Sequence, residues 1–263
     1  MDTRFWGPSG WRLLHLIATS PYAAKSRKFW QVLPFVLPCK FCRASLTTYY
    51  EQHPIPTQTN EFEEWLYTIH NCVNDKLRKQ GQSIPPDPPF EAVHKRYTEL
   101  LEQGCTLSKF IGWEFLFCIA DNHPGESPST PMPDCPVVPP KQLFERNKYN
   151  ICTTQERTRV LQVFWKELPK VFPFAEWQTS WKRHAMSIKH ATRNRKQALK
   201  WLWKIRCGMD HDLHNIQTHT FHGLCKELQV HRSGCGTNIR AKTCRKQRFV
   251  GGAKRKTQRH KQR

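Results

Sequence analysis

Two cysteines separated by two residues stand in the segment Pro38-Cys39-Lys40-Phe41-Cys42. That spacing permits a disulfide that forms and opens easily. At a helix start, backbone N–H groups and the helix dipole favour the thiolate, and the nearby cation of Lys40 adds to the effect. A thiol with an ordinary pKa near ~8.5 can fall to roughly 3.5–7.5 in such a setting. The same pair could be half of a zinc site, but that needs a second pair of ligands, and the chain holds no second Cys-x-x-Cys. A later segment, His70-Asn71-Cys72-Val73-Asn74-Asp75-Lys76-Leu77, sets His70, Asn71, Asn74 and Leu77 along one helical stripe. Asparagine is a poor helix former, so two of them within four residues carry a local cost. The stripe is either a solvated polar face or a wall facing a ring-bearing ligand such as a nucleotide or flavin.

The elements that must hold these residues read as helices. Trp11, Leu14, His15 and Ala18 share one face of a helix over residues 9–20. Phe29, Trp30, Leu33 and Val36 mark a second over 26–37, where Pro34 predicts a kink. Pro38 ends it, and a third helix follows near 39–52. Asn60 with Glu63 fits a capping box for a long helix over 60–80, whose apolar stripe is Phe62, Leu66, Ile69, Val73 and Leu77. A Pro-rich break at 84–89 precedes a short helix near 90–103. Residues 105–150 read as an aromatic packing segment followed by a Pro-rich linker. Tryptophans at 165, 177, 181, 201 and 203 predict a second helical core within 151–240, and residues 241–263 read as a disordered basic tail. No internal repeat is visible.

Three motifs in order now point to a family. Gly7, Trp11 and His15 form Gly-x-x-x-Trp-x-x-x-His. Cys39 and Cys42 follow. Trp65 then precedes His70, Asn71, Val73, Asn74, Leu77 and Lys79. Across residues 4–100 the chain resembles the Erv/ALR family of FAD-linked sulfhydryl oxidases, including the short forms of large DNA viruses. The resemblance implies an all-α fold, a four-helix bundle plus a short fifth helix, holding FAD in a domain over residues 1–104. It implies that Cys42 faces the flavin and that Cys39 is the partner open to exchange with dithiol protein substrates. Electrons would pass from the dithiol to FAD and on to molecular oxygen, giving hydrogen peroxide. Gly7, Trp11, His15, His70, Asn71, Asn74, Leu77 and Lys79 are then the cofactor-binding residues, and a homodimer is expected. The sequence departs from the family where many members have a stapling cysteine two residues after the tryptophan. Tyr67 stands there, so the staple is absent, although Tyr67 could still pack on the cofactor. Cys105, Cys118, Cys135 and Cys152 are candidate shuttle cysteines.

Charge divides the chain. The net charge of +21 is concentrated in residues 182–263, which hold 22 Lys and Arg against 3 Asp and Glu. A polybasic tail would bind polyanions, including nucleic acid, by releasing counterions. His219, His222 and Cys225 recur every three residues, but the spacing fits no standard zinc finger, and no metal ligand is assigned. The competing reading is a nucleic-acid-binding protein with zinc-ligating cysteines. No secretory signal or span of about 20 apolar residues is seen. The expectation is a soluble protein of the cytoplasm (a viral factory or virion, if viral) with no membrane contact.

Overall fold

The structure, a computed structural model, describes residues 2–107, 109–126, 130–215 and 219–232. The expectation about the tail, residues 241–263, lies outside those residues. The described elements are helical, with no strand among them.

Asp2 opens α1 (Thr3–Thr19), its carboxylate accepting from the Arg4 N–H at 2.9 Å. The helix therefore starts well before residue 9. Gly7, Pro8 and Gly10 all lie inside it. Ser26 caps α2 (Arg27–Val36) by accepting from the Phe29 N–H. Pro34 lies inside α2, where it removes the N–H that would bond the Trp30 carbonyl. Leu37 then extends, as the residue before a proline must, and Cys39 becomes the N-cap of α3 (Lys40–Gln52). α4 (Phe62–Lys79) is entered differently from the expectation. The capping box is made by Gln58 and Glu61 around a 3-10 turn. Glu63 instead accepts from the Thr19 hydroxyl and pairs with His94 on α5 (Phe90–Glu102), tying α1, α4 and α5 together.

Past the short α6 (Gly104–Leu107), α7 (Trp113–Asp121) is buried at every residue but Glu114 and packs on α1. The Pro-rich stretch does not hang free at its far end. Asn150 donates to the Thr130 carbonyl, and the Met132 N–H donates to Tyr149. α8 (Leu143–Lys148) lies on α3. α9 (Thr154–Val171) packs along α2, and α10 (Ala175–His184), α11 (Lys189–Arg193) and α12 (Arg195–Asp212) close around it. α13 (Phe221–Arg232) returns to α7, where Arg232 and Arg195 both clamp the buried carboxylate of Asp121.

The division drawn near residue 104 is not a gap in packing. Buried side chains from both sides form one hydrophobic core. Ser26 donates to Glu167 at 2.8 Å, Arg43 to Asn150 at 2.6 Å, and Asn147 to Thr47 at 2.9 Å.

Candidate functional site

A cavity of about 630 Å³ opens between α1, α3, α4 and α5. α1 contributes Gly7 and Trp11, α3 contributes Cys42, and α4 contributes His70, Asn74 and Leu77. Between these the wall is largely apolar, built from side chains such as Leu14, Leu46, Ile69 and Val73. Arg12, Lys76 and Arg96 bring positive charge to the lining. A mostly apolar cavity of this size with a few convergent polar groups is the usual form of a cofactor site.

The Trp11 indole and the His70 imidazole stack with centroids 4.0 Å apart and planes 12° from parallel. Behind them His15 is 2% exposed. Its Nε2 shares a hydrogen with His70 Nδ1 at 2.9 Å, and its ring stacks on Tyr97. Burial pushes both imidazoles down, His15 to about 3, with the neighbouring His70 and Arg96 adding to the effect, and His70 to about 4. Both rings are therefore neutral at neutral pH, and one donates while the other accepts. Asn74 donates to Asp87 at 2.6 Å across the Pro-rich turn. The hydrogen bond from Arg78, followed by that from Asn74, holds the Asp87 carboxyl below its ordinary range.

Four expected cofactor residues do not line this cavity. His15 supports the wall from behind. The Tyr67 hydroxyl donates to the Pro88 carbonyl, and its ring packs on Phe90. Tyr67 thus anchors the start of α5. α4 turns Leu66, Ile69, His70, Val73, Asn74 and Leu77 to the cavity. At 100° per residue that rotation carries Asn71 to the side and Lys79 to the face opposite His70. The residues the sequence did not single out are Arg12, Lys76, Arg96, Trp6 and Tyr50. Lys76 donates to the Ser45 hydroxyl across the cavity wall. Its signal was available: it lies seven residues after Ile69 and three after Val73, on the side of the helix those two turn to the cavity.

The dithiol sits at the cavity's edge in an unexpected orientation. Cys42 borders the cavity, whereas Cys39 is 1% exposed. The expectation that Cys39 is open to exchange does not hold in this conformation, because its side chain is packed into the core. Arg43, itself buried, donates to the Leu37 carbonyl at 2.8 Å and to Asn150 at 2.6 Å. Burial, followed by the nearby Arg157, lowers Arg43 to about 10, while the thiols of Cys39, Cys42 and Cys152 pull the other way. Cys152 is also buried, and its thiol is pushed up to about 11 by that burial.

Residues 8–97 match the Erv1 / Alr family. The FAD-linked sulfhydryl oxidase of African swine fever virus is 35% identical over 83 residues, which cover 28% of this chain and 70% of the viral protein. The chain belongs to the Erv1/Alr family. The mitochondrial FAD-linked sulfhydryl oxidase ERV1 of Saccharomyces cerevisiae is 30% identical over 86 residues, 30% of this chain and 46% of the yeast protein. The FAD-linked sulfhydryl oxidase ERV1 of rice is 29% identical over 111 residues, 38% of this chain and 54% of the plant protein. No solved structure matches the chain. The Erv1/Alr segment ends at Tyr97, so the cavity lies within it except for Phe115 on α7 and the opening residues of α1. Among the described residues, no group of three His, Cys, Asp or Glu side chains could hold a metal ion, so the zinc alternative finds no support there. No described helix is long and apolar enough to cross a membrane.

Proposed function

We propose that the protein is an FAD-dependent sulfhydryl oxidase that makes disulfides in protein dithiols, with Cys39 and Cys42 as its exchanging pair. The observation that carries this reading is Cys42 at the edge of a large apolar cavity whose wall includes the Trp11–His70 stack. The cavity suits a flat heteroaromatic group joined to an anion. Trp6 Nε1 and the Tyr50 hydroxyl are buried without a protein partner, and both residues line it. Trp11 and His70 present parallel ring faces, while Arg12, Lys76 and Arg96 offer positive charge for a pyrophosphate. Asn74, held in place by its hydrogen bond to Asp87, supplies a fixed polar group in the wall. When bound, FAD supplies the two-electron acceptor that reoxidises the dithiol and hands the electrons to oxygen as hydrogen peroxide.

The protein's own steps are thiol exchanges. A substrate thiolate attacks one sulfur of the Cys39–Cys42 disulfide, and the other sulfur leaves as a thiolate. The second substrate thiol, after losing its proton, attacks the mixed disulfide. The substrate departs oxidised, and the two electrons rest on Cys39 and Cys42. Rates depend on thiolate fraction and access. Arg43, fixed by its hydrogen bonds to the Leu37 carbonyl and Asn150, brings a buried positive charge into electrostatic reach of both cysteines. The Cys39 burial limits access, so the incoming thiol must reach Cys39 through movement of the core around it or meet Cys42 from the cavity side.

A visible spectrum and oxygen consumption with dithiothreitol test the reading. Wild type is expected to bind flavin and consume oxygen, and Cys42→Ala to keep the flavin and lose turnover. Colourless protein without thiol-dependent oxygen uptake, even with added FAD, would sink it.

A further inference from the structure

The two halves of the chain repeat one another, contrary to the reading of the sequence. α7 opens Gly112-Trp113-Glu114-Phe115-Leu116 where α1 has Gly10-Trp11-Arg12-Leu13-Leu14, and both reach an Ile-Ala pair. α9 has Phe164-Trp165, Leu168-Pro169 and Val171 where α2 has Phe29-Trp30, Leu33-Pro34 and Val36. α12 has Trp201-Leu202, Ile205 and Leu213 where α4 has Trp65-Leu66, Ile69 and Leu77. The segments come in the same order, in registers of 102, 135 and 136 residues (Trp113 against Trp11, Trp165 against Trp30, Trp201 against Trp65). The change from 102 to 135 is the Pro-rich stretch with α8.

Matching positions adopt matching conformations. Leu37 has φ −55° and ψ 137°, and Phe172 has φ −55° and ψ 138°. The next N-caps, Cys39 and Phe174, also agree, with φ −121° and ψ 128° against φ −118° and ψ 135°. Arg43 donates to the Leu37 carbonyl at 2.8 Å, and Gln178 donates to the Phe172 carbonyl at 2.9 Å. Phe29–Trp30 and Phe164–Trp165 are both edge-on pairs at 5.0 Å.

The halves also meet reciprocally. A Cβ on Gly10 would press on Phe115, and one on Gly112 would press on Leu13. Phe115 is the counterpart of Leu13, and Gly112 that of Gly10. Phe29 stacks on its own counterpart, Phe164, at 5.7 Å. Contact of i with j′ together with j against i′ is the signature of a two-fold interface between like units. Here the two-fold is internal.

The second half has lost the chemistry. Phe174 and Trp177 stand at the positions of Cys39 and Cys42, Phe117 at that of His15, and Arg206 and Asp210 at those of His70 and Asn74. Trp177 and Trp181, counterparts of the cavity residues Cys42 and Leu46, are fully buried. The Arg206 guanidinium lies over Trp113 at 5.7 Å and pairs with Asp210 at 3.6 Å, where the first half has His70 stacked on Trp11.

We propose that residues 110–232 are a degenerate second copy of the Erv1/Alr unit, docked on the first through α2 and α9 where a second chain would dock. The protein then works as a monomer with one dithiol and one cofactor site, in place of the homodimer the resemblance implies. The single-site part rests on the oxidase reading above. Sedimentation of the full chain at several concentrations, combined with flavin absorbance after saturation with FAD, tests both parts. A single-chain mass at every concentration with one flavin per chain is expected. A dimer, or two flavins per chain, would overturn the proposal. A single-chain mass with no bound flavin would remove the cofactor reading while supporting the internal pairing.

Discussion

Between Trp11 and Tyr97 two histidines meet at 2.9 Å, and neither can be charged without loss. Both folded-state values lie below the ordinary 6.5, at about 3 for His15 and about 4 for His70, with burial the first cause. The unfolded chain binds these protons more readily, so their contribution is complete above roughly pH 6.5 and is lost as pH falls through the folded values. Melting temperature should therefore drop steeply between pH 6.5 and 4. His15→Phe, which installs the side chain found at the matching position 117, should make that drop shallower. An unchanged slope in thermal melts would remove the pair from the account. Arg43→Gln should leave flavin absorbance in place, slow thiol-dependent oxygen uptake, and move its rise to higher pH, since the buried charge in electrostatic reach of the two cysteines is gone. A parallel loss at all pH values would make Arg43 a packing residue only. At this scale the sequence is most informative where residue type and rotation agree, as at Trp11, Cys42, His70 and Asn74. Asn71 and Lys79, which the motif also supplies, fall off the cavity lining by the 100° step. The burial of the Arg43 guanidinium next in the chain to Cys42 is invisible in sequence, because its partner Asn150 comes from 107 residues away.

α1 and α7 approach closely enough for glycine to matter. Gly112 has φ 115°, and a Cβ there would come 2.6 Å from Leu13. Gly112→Ala should cost roughly 1–3 kcal/mol from overpacking alone, plus strain from the left-handed backbone. Gly7, with nothing within 4 Å of its missing Cβ, sits in a helix and should tolerate alanine or gain up to ~1 kcal/mol. Chemical denaturation of the two variants compares them directly. Equal midpoints would count against the tight α1–α7 contact. The apolar stripes of α2 and α4 give those helices to within two residues. The expected start of α1 at residue 9 misses its first turns, because Gly7 and Pro8 are poor helix formers. The repeat is hard to see in sequence for another reason. Its shared residues are core tryptophans, leucines and prolines, whereas the conspicuous cysteines, histidines and asparagines are the ones the second copy has replaced.

Over the whole molecule, the packing of α2 on α9 makes the family segment dependent on the helices beyond residue 104. A fragment ending at Glu102 would uncover Phe29 and the rest of the α2 face. It should aggregate or self-associate, and sedimentation as a monomer would contradict the shared core. Charge gives a second whole-molecule expectation. Residues 233–263 hold eleven Lys and Arg and no acid. Binding to duplex DNA or heparin should weaken linearly in log–log salt plots, by roughly 0.9 per phosphate contacted on the duplex. Removing those residues should abolish most of that slope, and an unaffected slope would place the contacts elsewhere.

The Phe29–Phe164 contact joins two separate positions of one polypeptide. In an association of identical chains, every substitution at the shared face is made twice, and a harmful one is doubled. Here either residue can change alone, and its partner is delivered by the chain at an effective concentration that dilution cannot lower. A pairing built this way tolerates asymmetry, and it persists even when only a few molecules are present.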